Sequence, residues 1–142
     1  MKAYPDASLL VSAYVDEPAS DRAERWLRSL APGDLASSAW SRTEVASALA
    51  KKVRMGALTL FGLESVFGAI QAMLADSAID VPVEPHHFAT AADLVVRSPV
   101  PLRAGDALHL AIAAGARVEL VTLDRRMAEA GQALGLDTRL LA

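Results

Sequence analysis

Four carboxylates in this chain stand where an acid needs a reason. Asp6 lies inside the apolar opening "YPDASLLVSAY". Glu44 follows the hydroxyl-rich "SSAWSRT". Asp106 sits near the start of a run of Ala, Leu and Ile in "LRAGDALHLAIAAGA", and Asp124 follows the apolar "VELVTL". A carboxylate beside so much apolar surface is unfavourable unless something compensates it. Each has an ordinary explanation. Asp6 and Asp124 can cap the helices they precede. Asp106 can decorate a first turn, where the helix dipole favours negative charge by about 0.3–1 kcal/mol. Glu44 stands three after Ser41, a capping-box spacing. The four together suggest a common task. Gathered, they repel one another and raise some pKa values, and a divalent cation relieves that repulsion best. Mg²⁺ and Mn²⁺ favour oxygen ligands and retain waters, so three or four carboxylates suffice when a substrate brings phosphate oxygens. Such ions serve phosphodiester cleavage by activating water and supporting the leaving oxygen.

The elements that must position these acids follow from periodicity and punctuation. Strands are expected at residues 2–6, 34–38, 79–83, 118–123 and near 137–140. Helices are expected from Ala7 to Tyr14 and at 20–31, 41–56, 59–76, 86–97, 105–116 and 125–134. This alternation predicts an α/β fold, a three-layer sandwich with a central, mainly parallel sheet flanked by helices, spanning residues 1–142 as a single domain. The run "VELVTL" is apolar on both faces, as a covered central strand requires. Ligands of such sheets bind beyond the carboxyl ends of the strands, where Asp6 and Asp124 fall.

Composition narrows the chemistry. The chain has 142 residues, 53% of them hydrophobic and 22% charged, with no cysteine, which excludes disulfides and thiolate metal sites. Its net charge is −3 and its pI about 5.5. A duplex-DNA-binding domain usually has a pI above roughly 9, so a nucleic acid would have to be met by local basic patches or through a metal. No apolar run reaches about 18 residues, so no membrane span is expected. "MKAYPDASLLVSAY" lacks the pattern of a signal peptide, and a cytoplasmic location is expected. No G-x-x-x-x-G-K appears, and Asp6-Ala7-Ser8 is not the Asp-x-Asp of a haloacid-type hydrolase. From the residues alone the reading stops at an acidic divalent-metal site on an α/β fold.

These same four stretches, in order and over nearly the whole chain, resemble the PIN-domain ribonucleases, and among them the VapC-type toxins of bacterial toxin–antitoxin pairs. The resemblance implies an RNA endonuclease using Mg²⁺ or Mn²⁺, held by Asp6, Glu44, Asp106 and Asp124. Asp6 and Asp106 would be direct ligands, Glu44 would act through a water, and Asp124 would be the outermost member. Ser8 and Thr122 would orient carboxylates or waters. It further implies an RNA substrate, a cognate antitoxin protein whose tail covers the site, and a homodimer. Two positions depart from the family pattern. Pro5 stands where an apolar residue is usual and cannot donate to a sheet ladder, so the first strand is expected to be distorted or paired on one side only. Ala7 stands where a hydroxyl is common.

Other residues carry two readings each. Arg103, three before Asp106, either meets a phosphate or pairs with an acid. Arg125 and Arg126 either track an RNA backbone or are solvated. Lys51, Lys52 and Arg54 suit a helix C-terminus better than an RNA patch. His109 on its apolar helix is expected to be a core residue, and His86 and His87 structural. Leu60, Leu63, Phe67, Ile70 and Leu74 form a helical seam that Phe61, Val66 and Met73 widen, for core packing or for docking. Two alternatives remain: a receiver-like, phospho-accepting signalling domain, and a PIN-fold binding module without catalysis.

Overall fold

The computed structural model describes residues 2–142. In chain order the elements are β1 (Ala3–Pro5), α1 (Ala7–Ser12), α2 (Ser20–Ser29), β2 (Ala36–Ser37), α3 (Ala39–Arg54), α4 (Leu60–Ser77), β3 (Ile79–Asp80), α5 (Pro85–Arg97), α6 (Ala104–Ala116), β4 (Glu119–Thr122), α7 (Arg125–Ala133) and β5 (Thr138–Leu140). Every strand pairing is parallel. The ladders are β1-β4-β5 and β2-β3, joined by a single bridge between Ala3 and Leu35. The α/β architecture with a parallel sheet flanked by helices is therefore present.

The weak seam between β1 and β2 has a covalent cause. Ala3 donates to the Asp34 carbonyl at 2.7 Å. The next bond toward β2 needs an N–H at position 5, and proline has none. On the other side the alternate residues bond normally, with Asp6 N–H donating to the Val121 carbonyl at 3.0 Å. β1 is thus laddered along its length with β4 and only bridged at Ala3 on the β2 side, so it is not paired on one side alone.

Period-two alternation distributes the side chains between layers. Tyr4 and Leu120 pack with α5 and α6 residues such as Leu94, Leu108 and Ile112. Ala3 and Val121 face Leu9 and Trp26 of α1 and α2. A third cluster ties α1 to α3 and α4 through Leu10, Val45, Leu49, Ile70 and Leu74. The buried β4 residues Leu120, Val121 and Thr122 confirm a strand covered on both faces.

Boundaries differ in places. The first helix stops at Ser12, because both Tyr14 and Val15 turn back to the Val11 carbonyl. β3 covers only Ile79 and Asp80 and is exposed, with Pro82 two residues on. α6 ends on Arg117 at φ 57°, a left-handed cap taken without glycine. The seam on α4 is only partly used: Ile70 and Leu74 are buried, while Leu60 and Phe61 remain 64% and 80% exposed. Among the described residues no helix is long and apolar enough to cross a membrane.

Candidate active site

Parallel topology brings the acids to one edge. All the strands run the same way, so each β-to-α turn lies at their carboxyl ends. Asp6 follows β1, Ser38 follows β2 and Asp124 lies just past β4, and each caps the next helix. α6 leads into β4 from the opposite end, so its first turn, which carries Asp106, rises to the same edge.

Asp6 is the most constrained of the four. It is buried, and its Oδ1 accepts from Leu9 N–H at 3.1 Å and from Ser8 Oγ at 2.8 Å. Its Oδ2 accepts from Thr122 Oγ1 at 2.6 Å. Burial pushes its carboxyl up to about 6; the hydrogen bonds from Thr122, Ser8 and Leu9 pull back, and the charge of Asp106 pushes further up. Thr122 also accepts from Asp124 N–H at 3.0 Å. Asp124 Oδ1 caps α7 through Arg126 and Met127 N–H at 2.9 and 3.4 Å. Its Oδ2 lies 3.4 Å from Arg103 Nη2. The same guanidinium reaches Asp106 Oδ2 through Nε, also at 3.4 Å. The Asp106 pKa is raised, chiefly by burial; Arg103 lowers it and Asp124 raises it.

Glu44 enters from α3. Its carboxylate lies over Gly105, where a Cβ would stand 3.1 Å from Oε1. Its pKa is raised by burial and then by Asp106, against the pull of Arg103. Trp40 fastens this helix to α6 by donating from Nε1 to the Gly105 carbonyl at 3.0 Å. Pro101, Leu102, Arg103, Asp106, Asp124, Arg126 and Met127 line a cleft of about 200 Å³ here. A larger groove of about 740 Å³, between α2 and the ends of α1 and α4, includes none of the four acids.

Two further pairings are visible in these contacts. Arg103 lies against Asp106 and Asp124. The capping box at Ser41 and Glu44 is not formed: the cap is Ser38, and Ser41 is its N3 partner. The helix starts earlier because Ser38 is already extended after β2 and Ser41 is fully buried, bonded to Tyr4 Oη at 3.1 Å. That leaves the Glu44 carboxylate available to the cleft. Lys52 pairs with Glu17 at 3.3 Å, and His87 closes the start of α5 by accepting from Glu84 N–H at 2.9 Å.

Sequence reasoning missed a buried polar cluster behind the acids. Tyr4 Oη lies 2.7 Å from Ser38 Oγ and 2.8 Å from His109 Nδ1. It joins β1, α3 and α6, the elements bearing or leading to Asp6, Glu44 and Asp106. Burial pushes Tyr4 up to about 12 and His109 down to about 3, so both are neutral near pH 7. His109 Nε2 finds no partner. His109 is the core residue expected. The spacing of hydroxyls in "SSAWS" was the available signal for its partners. Gly105 was also missed; a glycine in a helix otherwise rich in Ala and Leu marks a close approach.

In chemical terms the edge offers oxygen donors only, three of them with raised pKa values from burial and mutual charge. That donor set suits a hard divalent cation. Among the described residues, no three carboxylate or imidazole side chains converge closely enough to share one ion in this arrangement. The positive charge now among them is the Arg103 guanidinium.

Comparison with known proteins identifies the fold. No similar sequence was found among curated proteins. Among solved structures, the fold is similar to VapC20 of Mycobacterium tuberculosis, a toxin that cleaves the sarcin-ricin loop, with a TM-score of 0.73 at 17% identity over 92% of this chain and 95% of that one. It is similar to VapBC2 of Rickettsia felis bound to a promoter DNA fragment, with a TM-score of 0.70 at 12% identity over 99% and 98%. It is also similar to FitAcB of Neisseria gonorrhoeae, with a TM-score of 0.67 at 17% identity over 98% and 97%. The PIN domain family model matches residues 3–133. The parallel sheet, the acids at its carboxyl edge and this match over most of the sequence lead to one conclusion: the chain belongs to the PIN domain family.

Proposed function

We propose that this protein is a metal-dependent endoribonuclease that acts in the cytoplasm as the toxin of a toxin–antitoxin pair. The observation that carries the reading is the continuous line of contacts at the sheet edge, from Ser8 through Asp6, Thr122, Asp124 and Arg103 to Asp106. PIN domain nucleases generally use divalent ions. Asp6 and Asp106 would hold Mg²⁺ or Mn²⁺ directly, with Glu44 through a water and Asp124 outermost. When bound, such an ion supplies positive charge against phosphate oxygens and lowers the pKa of water. The chain's own parts do the positioning. Ser8 and Thr122 fix both oxygens of Asp6, the start of α7 orients Asp124, and Gly105 leaves room for Glu44. Burial and the charge of Asp106 raise the Glu44 pKa, against the pull of Arg103, as expected of an acid gathered with others at one edge.

A second reading, a PIN-fold binding module without cleavage, is favoured by one observation: no three acids share a point in space. The two readings separate on purified protein incubated with total RNA, with Mn²⁺ or with EDTA. We expect cleavage with Mn²⁺ and none with EDTA. Asp6→Asn and Asp106→Asn should each reduce the rate by roughly 100-fold or more, the scale of losing one electrostatic contact to a transition state. Cleavage at the parent rate by both variants would remove these residues from the mechanism.

A partner is part of the proposal. Met55, Phe61 and Val96 are 71%, 80% and 84% exposed, and uncovered apolar surface of this kind is what a cognate antitoxin and a second copy of the chain would bury.

A further inference from the structure

We propose that Arg103 is a tethered counter-cation of the acid cleft. With no ion bound it ties Asp106 to Asp124, and a divalent cation must displace it to take those carboxylates. The inference rests on the metal site proposed above and deepens it by assigning a competitor.

The geometry favours displacement. One guanidinium uses two different nitrogens on two different acids, Nε on Asp106 and Nη2 on Asp124, each at 3.4 Å. Charge-assisted N–H···O⁻ bonds normally close to about 2.7–2.9 Å, so both contacts are loose. The Arg103 side chain is 80% exposed, whereas its two partners are 18% and 31% exposed. The head group can therefore leave into water without unpacking anything, while the acids stay in the cleft. Its backbone is held in place as the N-cap residue of α6, in extended conformation and with no side-chain capping bond to give up. The charge is thus kept near the cleft mouth without being locked there. The same cleft is lined by Arg126, which forms no ion pair among the described residues, so Arg103 is the guanidinium that engages both acids.

Two positive charges cannot share the same carboxylates. Exposed ion pairs contribute little each, so removing Arg103 should tighten metal binding modestly, by about 3- to 10-fold. The test is Mn²⁺ titration by calorimetry or by electron paramagnetic resonance of the free ion, without RNA. The proteins are the parent chain, Arg103→Gln and Arg103→Lys, with Asp106→Asn as a control. We expect Arg103→Gln to bind Mn²⁺ more tightly, Arg103→Lys to fall between it and the parent, and Asp106→Asn to bind weakly. In EDTA, Arg103→Gln should melt below the parent, because Asp106 and Asp124 then face each other without a counter-charge. Saturating Mn²⁺ should close that gap. Equal or weaker Mn²⁺ binding by Arg103→Gln, with the parent still binding, overturns the competitor role alone. Failure of the parent to bind Mn²⁺ at all overturns the metal site and this inference with it.

Discussion

Asp6 carries most of the local electrostatic strain. Burial pushes its carboxyl from the ordinary 3.8 up to about 6 in the fold. A raised carboxylate pKa means that the folded chain binds the proton more tightly than the unfolded one. The ionised form therefore costs stability above about pH 6, by at most about 3 kcal/mol, and the cost disappears as the pH falls toward 4. His109 acts in the opposite sense. Burial pushes its pKa from the ordinary 6.5 down to about 3, so the unfolded chain takes the proton first and stability is lost as the pH falls through that window. In EDTA the two effects oppose each other between pH 6 and 4. The melting temperature of the parent chain should change little there. Asp6→Asn, which removes only the compensating group, should lose stability on acidification distinctly faster. Parallel melting curves for the two proteins across this range would show that Asp6 is not the strained group described.

At the scale of elements, the site depends on how closely α3 approaches α6. Trp40 and the buried Tyr4, Ser38, Ser41 and His109 cluster bring the two helices together, and Gly105 leaves the gap that Glu44 fills. In an ordinary helix, Gly→Ala gains about 0.5–1 kcal/mol. At position 105 the added methyl meets the Glu44 carboxylate, so Gly105→Ala should leave stability within about 1 kcal/mol of the parent. By displacing Glu44 it should lower RNA cleavage about 10- to 100-fold. Melting temperature and initial rate, measured on the same preparation, check this; a folded variant at full rate would leave Glu44 outside the reaction. The break between β1 and β2 is the same kind of local cause. A single missing N–H at Pro5 separates two ladders that topology would otherwise join.

At the scale of the molecule, the sheet edge gathers the acids and the helical surfaces carry the exposed apolar side chains. α5 exposes Phe88, Val95 and Val96 at 58%, 40% and 84%. These positions recur at helical spacing beside a groove of about 310 Å³ that Trp40 and Gly105 also line. If a homodimer forms through this face, Val96→Asp should convert it to monomer in light scattering while leaving the melting temperature nearly unchanged. A parent chain that is already monomeric at tens of micromolar would remove the dimer from the proposal.

Much of this was legible along the chain. Strand and helix identity follows from periods of two and of 3.6, and a carboxylate set among apolar residues can be seen without coordinates, because both depend on neighbours in sequence. The α/β class, the carboxyl edge, the cap roles of Asp6 and Asp124 and the core position of His109 belong here. Tertiary structure decided what depends on approach through space. It moved the α3 cap from Ser41 to Ser38, opened the place for Glu44 above Gly105, linked Thr122 to Asp6 across 116 residues, and set Arg103 between two acids. These outcomes turn on distances of a few ångströms between segments remote in the chain, and no one-dimensional pattern encodes such distances.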